Sequence, residues 1–90
     1  MGIALLKMKI MPESPETNLE ELQSKVEATL KEGKADKISF EIEPVAFGLK
    51  AIIAGFAIDE SLELDPIEQK LGSLENVSSV QVIDMRRQFG

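Results

Sequence analysis

The stretch "EIEPVAFGLKAII", residues 41–53, is the most informative part of this sequence. Apolar residues alternate with other residues on both sides of a short segment, which predicts two strands joined by a tight hairpin. Gly48 supplies the backbone freedom that closes such a turn, and Pro44 is suited to the exit of an edge strand. Phe47, one of only four aromatic residues in the chain, falls near the tip. Two interpretations stay open: its ring covers the end of the core, or it protrudes as an anchor for a partner.

The residues flanking the hairpin extend its two strands. Ile38, Phe40 and Ile42 alternate with polar residues, which predicts a strand with one solvated face. The strand after the turn is apolar on both faces through Ile58, which indicates a central position in the sheet. On the face away from the helices, we expect it to expose an apolar stripe of Ala51, Ile53, Gly55 and Ala57.

The two ends of the chain also have the period of strands. Residues 3–11 alternate, and "VSSVQVIDM", residues 77–85, predicts a last strand with Val80 and Val82 facing inward. The inward face of the first strand is expected to carry Ala4, Leu6, Met8 and Ile10.

Two helices are predicted between the strands. The first begins with a capping box of Thr17 and Glu20 and stops at Gly33. The second is short and begins with Asp65 as N-cap and Pro66 at the first helical position. Their buried positions are expected to be Leu19, Leu22, Val26 and Leu30 in the first helix, and Ile67, Leu71 and Leu74 in or just after the second.

This order of elements, β-α-β-β-α-β, is the split βαβ pattern. It predicts an α+β, ferredoxin-like sandwich formed by residues 1–90 as a single domain, with two helices on one face of a four-stranded antiparallel sheet in the order 4-1-3-2. In this topology the hairpin tip and the end of the last strand lie at opposite ends of the sheet. Strands of nine or ten residues place those ends about 30 Å apart.

Composition excludes several kinds of chemistry. The chain has no Cys and no His, which removes disulfides, thiol nucleophiles, imidazole acid–base catalysis and the usual zinc ligands. The acidic loop with Asp59, Glu60 and Glu63 lacks the ligand spacing of a calcium loop and is expected to be solvated. No carboxylates form a recognisable acid–base pair. We therefore expect no catalytic residues, no metal and no cofactor.

Charge and hydropathy limit the partners and the location. A net charge of −6 argues against nucleic acid as the main partner, because phosphate binding depends on clustered Lys and Arg. The open sheet face also offers Lys7 and Lys9 but no aromatic ring on which RNA bases could stack. Lys7 interrupts the N-terminal apolar run, which is too short for a signal peptide or a membrane span. We expect a soluble, cytoplasmic protein without membrane contact.

The expected apolar stripe on the open face supports an alternative function. Such a surface packs against a partner or against the chain's own tail. The alternative is a small ferredoxin-like regulatory module that senses a small molecule or dimerises through this face.

The only two arginines, Arg86 and Arg87, are adjacent and close to the C-terminus. One interpretation is a solvated chain end. The other is a permanent positive charge at the rim of the sheet, directed at an anionic pocket or competing with a bound metal ion.

The segment "PVAFGLK", residues 44–50, followed by "AIIAGFAIDE", resembles translation elongation factor 1-beta, the nucleotide exchange factor for elongation factor 1-alpha. The likeness extends over the whole chain and includes the ending "SVQVIDMRR". In length the chain is similar to the archaeal form of this family.

The resemblance implies an exchange factor that performs no covalent chemistry and bridges two domains of the GTPase elongation factor 1-alpha. We expect it to be a monomer. Phe47, in the turn bounded by Pro44 and Gly48, would enter a pocket on the second domain. Arg87, with Arg86 beside it, would approach the magnesium and phosphate region of the nucleotide domain. Eukaryotic relatives have a Lys at that position, so the charge carries over although the shape of the side chain differs.

Overall fold

The computed structural model describes the backbone of residues 2–89 and the side chains of residues 2–87. The elements follow the predicted order β-α-β-β-α-β. The sheet has the order β2-β3-β1-β4 and every neighbouring pair is antiparallel, so the predicted order, read from the other edge, is confirmed. The elements are β1 (Gly2–Pro12), α1 (Leu19–Glu32), β2 (Asp36–Pro44), β3 (Lys50–Asp59), α2 (Asp65–Gly72) and β4 (Val77–Phe89).

The core lies between the sheet and the two helices. Alternation along β1 buries every second side chain, as predicted, because only one face of this strand meets the helices. Gly33 shows how closely the helix layer is packed, since a Cβ there would lie 2.8 Å from Ile67 of α2. The most fully buried large side chains are Met8, Ile10, Leu22, Val26, Leu30, Ile52 and Leu71.

The helix starts differ from the prediction by one residue. Asn18, and not Thr17, caps α1: its side-chain oxygen accepts the Glu21 N–H at 3.1 Å. Asn caps a helix as well as Ser or Thr does, and here it directly precedes the first apolar residue of α1. In α2, Leu64 occupies the cap position and Asp65 lies in the first turn, where its charge complements the helix dipole.

The last strand is longer than predicted. β4 continues past Met85, because β1 begins at Gly2 and offers backbone partners as far as Phe89. A bulge interrupts the pairing of β1 with β4. Met8 pairs with Val82 but Lys7 pairs with Asp84, so Ile83 has no partner residue on β1. Both arginines therefore belong to a paired strand and not to a frayed chain end.

None of the helices in the part of the chain that the structure describes is both long and apolar enough to cross a membrane.

Candidate partner-binding site

The turn between β2 and β3 has an unusual backbone. Phe47 has φ 62° and ψ 31°, and Gly48 follows it with φ 74°, so two successive residues adopt left-handed conformations. The turn is closed by the Val45 N–H donating to the Leu49 carbonyl at 2.8 Å, and the Leu49 N–H donates to Ala46 at 3.3 Å. Gly48 meets its conformation at little cost, but a bulky residue such as Phe47 incurs about 1–2 kcal/mol of strain.

The Phe47 ring points into solvent. Its side chain is 94% exposed, so the interpretation that it covers the end of the core is wrong. The left-handed backbone accounts for this, because it turns the side chain outward at the tip of the hairpin. A fully exposed ring in a strained conformation is typical of a surface that leaves water when a partner binds.

The base of this turn is formed as the sequence indicated. β2 is an edge strand, and Pro44 is its last residue, paired with Lys50 at the start of β3. Pro44 is exposed. A Cβ added to Gly48 would have no atom of another residue within 4 Å apart from its chain neighbours. The tip therefore extends beyond the sheet without support from neighbouring elements.

The two arginines leave the sheet on opposite faces. Arg86 pairs with Leu5 on the open face, whereas Arg87 pairs with Ala4, which is buried beneath the helices. The Arg86 Nε lies 3.3 Å from Asp84 Oδ2 on the same face. Arg87 is exposed and forms none of the ion pairs found among residues 2–87.

Phe47 and the arginines lie at opposite ends of the sheet, as the topology predicted. Arg87 pairs with Ala4, which pairs with Ile58 near the end of β3, while Phe47 precedes the start of the same strand. The eleven Cα steps from Phe47 to Ile58, mostly extended, give a separation of about 30 Å. The longest dimension of the molecule is 42 Å, so these residues mark its two ends.

The expected apolar stripe on the open face is not exposed. Ala51 is 0% exposed, Ile53 8% and Ala57 4%. These side chains are short or flanked by longer ones: Lys9 of β1 reaches Glu43 of β2 at 3.8 Å, across the strand between them. The alternative regulatory function therefore loses the surface on which it was based.

The acidic loop after β3 is organised by its own hydrogen bonds. Asp59 accepts the Ser61 N–H at 2.9 Å and the Ser61 hydroxyl at 2.8 Å. The backbone hydrogen bond from Ser61, with the hydroxyl second, holds the pKa of the Asp59 carboxyl below its ordinary value. Within the described residues, no group of three or more Asp, Glu, His or Cys side chains is arranged to hold a metal ion.

Sequence reasoning placed Lys7 on the open face but missed two residues beside it. Asp84 and Lys37 line the same part of that face as Lys7 and Arg86. The spacing of Asp84 and Arg86, two residues apart on one strand, was the available signal, since such residues share a face. Lys37 was not identifiable, because it lies in an irregularity of β2 where its φ is 52°.

Comparisons with known proteins agree on one family. The model of the family described as "EF-1 guanine nucleotide exchange domain" matches residues 5–87. A protein of Methanococcoides burtonii named elongation factor 1-beta is 42% identical to this chain, covering 97% of the chain and 98% of the relative. Proteins of the same name from Natronomonas pharaonis and Methanococcus aeolicus are 43% and 36% identical; they cover 97% and 94% of this chain and 99% and 97% of the relatives.

Two solved structures share the fold at low sequence identity. LarC2, the C-terminal domain of a cyclometallase, is 12% identical with a TM-score of 0.66; the match covers 99% of this chain and 58% of that one. The ACT domain from the GTP pyrophosphokinase of Chlorobium tepidum is 15% identical with a TM-score of 0.57, covering 88% of this chain and 96% of that one. These likenesses confirm the ferredoxin-like architecture.

Proposed function

Because this chain belongs to the EF-1 guanine nucleotide exchange domain family and promotes nucleotide exchange on elongation factor 1-alpha, we propose that three of its residues carry the exchange. Phe47 is the anchor at one end of the sheet, and Arg86 and Arg87 are the charged contact at the other. One observation supports this assignment: the same continuous sheet carries an exposed aromatic ring at one end and two adjacent cations at the other, about 30 Å away.

Phe47 enters an apolar pocket on the second domain of the GTPase. Because the ring is 94% exposed in the unbound protein, binding removes nearly its whole surface from water. That contributes on the order of 1.5–3 kcal/mol to association, which is the size of an interface hot spot. Pro44 and Gly48 set the direction of the tip, so that the ring is presented before the partner arrives.

The arginines act on the nucleotide domain. Arg87 forms no ion pair among the described side chains, so its charge is available to a partner, whereas Arg86 is partly neutralised by Asp84. Directed at the magnesium and phosphate region, the Arg87 guanidinium competes with the magnesium ion for the same negative groups. Loss of magnesium weakens the hold on GDP.

Exchange follows from thermodynamic linkage and requires no covalent step. If the factor binds the nucleotide-free GTPase more tightly than its GDP form, then GDP binds the complex more weakly by the same ratio. An acceleration of three to five decades corresponds to about 4–7 kcal/mol at the barrier to release. Simultaneous contacts on two domains can supply such a difference, because they favour one arrangement of the GTPase over another.

The protein acts as a monomer in the cytoplasm, with residues 1–90 working as one exchange domain and without cofactor, metal or direct nucleic acid contact. Both contacts are on one sheet, so a single chain suffices for a two-domain grip.

The test is release of a fluorescent GDP analogue from elongation factor 1-alpha in the presence of excess GDP. We expect the wild-type protein to accelerate release, and the triple variant Phe47→Ala, Arg86→Ala, Arg87→Ala to leave it near the spontaneous rate. Lys31→Ala, on the outer face of α1, is the control and retains full acceleration. If the triple variant exchanges like wild type, the assigned contacts are wrong; if wild type binds without accelerating release, exchange by this chain is wrong.

A further inference from the structure

A hollow of about 310 Å³ opens on the sheet face that carries no helices. It lies over the middle of the sheet, on the side towards Arg86 and away from the hairpin. The floor of the hollow carries little side-chain bulk, because Gly55 of β3 has no side chain and its cross-strand neighbour is the small Ser39 of β2. A Cβ on Gly55 would lie 2.9 Å from the Ser39 Oγ, so the row is already closely packed without a side chain there.

The rim of the hollow is cationic. Lys7 pairs directly with Gly55 across the sheet, and Lys37 and Arg86 complete the rim. Asp84 is the one acidic residue in the lining, and it is engaged with Arg86 at 3.3 Å. The hollow therefore has an excess of positive charge on a protein whose net charge is −6.

The part of the open face nearer the hairpin differs from the hollow, because its cation is paired with a carboxylate. Towards the hairpin, Lys9 is paired with Glu43 at 3.8 Å above buried apolar side chains. Lys7 and Lys37, in contrast, form none of the ion pairs found among the described side chains. Unpaired cations on this face thus cluster around the hollow, next to a residue already assigned to partner contact.

We propose that this hollow is a docking site for an acidic side chain of the GTPase, whose carboxylate lies over Gly55 between Lys7 and Lys37. The inference rests on the proposed function, because it identifies a further part of the same interface. Only the small Ser39 hydroxyl lies beside Gly55, so the hollow has room for a carboxylate at this point, and the two ammonium groups hold it from both sides. The site adds electrostatic orientation to the contacts made by Phe47 and Arg87.

The experiment measures the dissociation constant of the complex with nucleotide-free elongation factor 1-alpha at low and high salt. For the double variant Lys7→Gln, Lys37→Gln we expect association to weaken about tenfold at low salt, with the difference shrinking as salt rises. The control, Lys31→Gln with Lys70→Gln, changes the net charge equally but places it on the helix layer, and we expect at most a twofold effect. Equal weakening in both variants would mean that total charge matters and not the hollow.

A second variant tests the shape of the hollow without changing its charge. Gly55→Ala combined with Ser39→Ala removes the close Oγ and adds a methyl group to the floor. We expect severalfold weaker association at an unchanged melting temperature, with the single variant Ser39→Ala binding like wild type.

The outcomes separate this inference from the function on which it rests. If wild type accelerates GDP release but the Lys7→Gln, Lys37→Gln protein binds the GTPase as tightly as wild type, the docking site is wrong and the exchange function stands. Inorganic phosphate is the probe for a free anion: saturable shifts of the Gly55 amide resonance, together with unaltered GTPase binding by the lysine variant, would make the hollow a small-anion site and overturn docking.

Discussion

Arg86 and Arg87 are neighbours in sequence but lie on opposite faces of β4, with Arg86 above Leu5 on the open face and Arg87 beside Ala4 on the helix side. Arg86 is within 3.3 Å of Asp84, and Arg87 has no such partner among the described side chains. One short segment therefore presents two cations that differ in direction and in available charge, which gives them separable roles.

The first prediction concerns this difference. Arg87→Ala is expected to lower the maximal rate of GDP release at saturating factor by about tenfold or more, because its unpaired charge acts at the release barrier. Arg86→Ala is expected to raise the concentration needed for half-maximal acceleration severalfold, with a nearly unchanged maximal rate. Stopped-flow measurements of fluorescent GDP release against factor concentration separate the two effects. The reverse pattern would exchange the roles of the two residues.

Asp84→Asn provides the matched control for Arg86. Removing the carboxylate releases Arg86 from its ion pair and takes one negative charge from the rim of the open face. We expect tighter association with the GTPase at low salt. Weaker association would show that Asp84 holds Arg86 in a needed position.

The second prediction uses the left-handed backbone at Phe47. Phe47→Ala, Phe47→Asn and Phe47→Gly all remove the exposed ring, so each should weaken association by about 1.5–3 kcal/mol. Their stabilities should differ: Gly and Asn tolerate a φ of 62° and relieve strain, so the free energy of unfolding should rise by up to about 1 kcal/mol with Phe47→Gly and stay nearly unchanged with Phe47→Ala. Urea unfolding and binding measurements on the same samples check both effects. A large stability loss in all three would restore a structural role for the ring.

The fold could be predicted from the sequence because each strand and helix has its own pattern of apolar residues. Alternation in β1 and the apolar stripe of α1 each require one buried face, and two-sided burial of β3 follows from the absence of polar residues between Lys50 and Asp59. The cap at Asn18 was missed because Thr17 and Asn18 are both good caps, and the capping-box pattern with Glu20 favoured Thr17.

Parts of the site depend on features that no local pattern encodes. Uninterrupted alternation from Val80 and Val82 would put Arg86 on the helix side, but the bulge opposite Lys7 and Met8 exchanges the two faces. The position of Phe47 at the hairpin tip was predictable, but its exposure was not, because it follows from two successive left-handed residues. Burial of the open-face alanines likewise depends on which side chains neighbouring strands bring beside them.

The third prediction tests the start of α1. Asn18→Ala removes the acceptor for the Glu21 N–H and is expected to cost about 1 kcal/mol of stability. Thr17→Ala, one residue earlier, is the control and should cost less than about 0.5 kcal/mol. Urea unfolding of both variants measures the difference, and GDP release should be unchanged in each because neither residue belongs to the hairpin tip or to the end of β4. A larger loss from Thr17→Ala would favour the capping box with Glu20.

The fourth prediction concerns acid stability. Hydrogen bonds from the Ser61 N–H and hydroxyl favour the charged form of Asp59, so the pKa of Asp59 is lower in the folded than in the unfolded chain. Its contribution to stability is therefore present above the unfolded-state pKa of about 3.9 and is lost as the pH falls through the lower folded-state value. In a carboxyl NMR titration, Ser61→Ala should raise the pKa of Asp59 partway, since the backbone donor remains. An unaltered pKa would leave the backbone hydrogen bond as the only cause.

The fifth prediction tests whether both ends must belong to one molecule. Phe47→Ala and Arg87→Ala each leave one end of the sheet intact, about 30 Å from the altered end. If exchange required only that both contacts be occupied, an equimolar mixture of the two variants would recover activity. Because the sheet couples the contacts by making the second one intramolecular, we expect the mixture to release GDP no faster than the sum of its two components. The measurement is GDP release at matched total factor concentration, with a mixture of wild type and the Phe47→Ala, Arg87→Ala double variant as the control. Recovery beyond that sum would show that two separate molecules can share the GTPase, and the one-chain grip would be wrong.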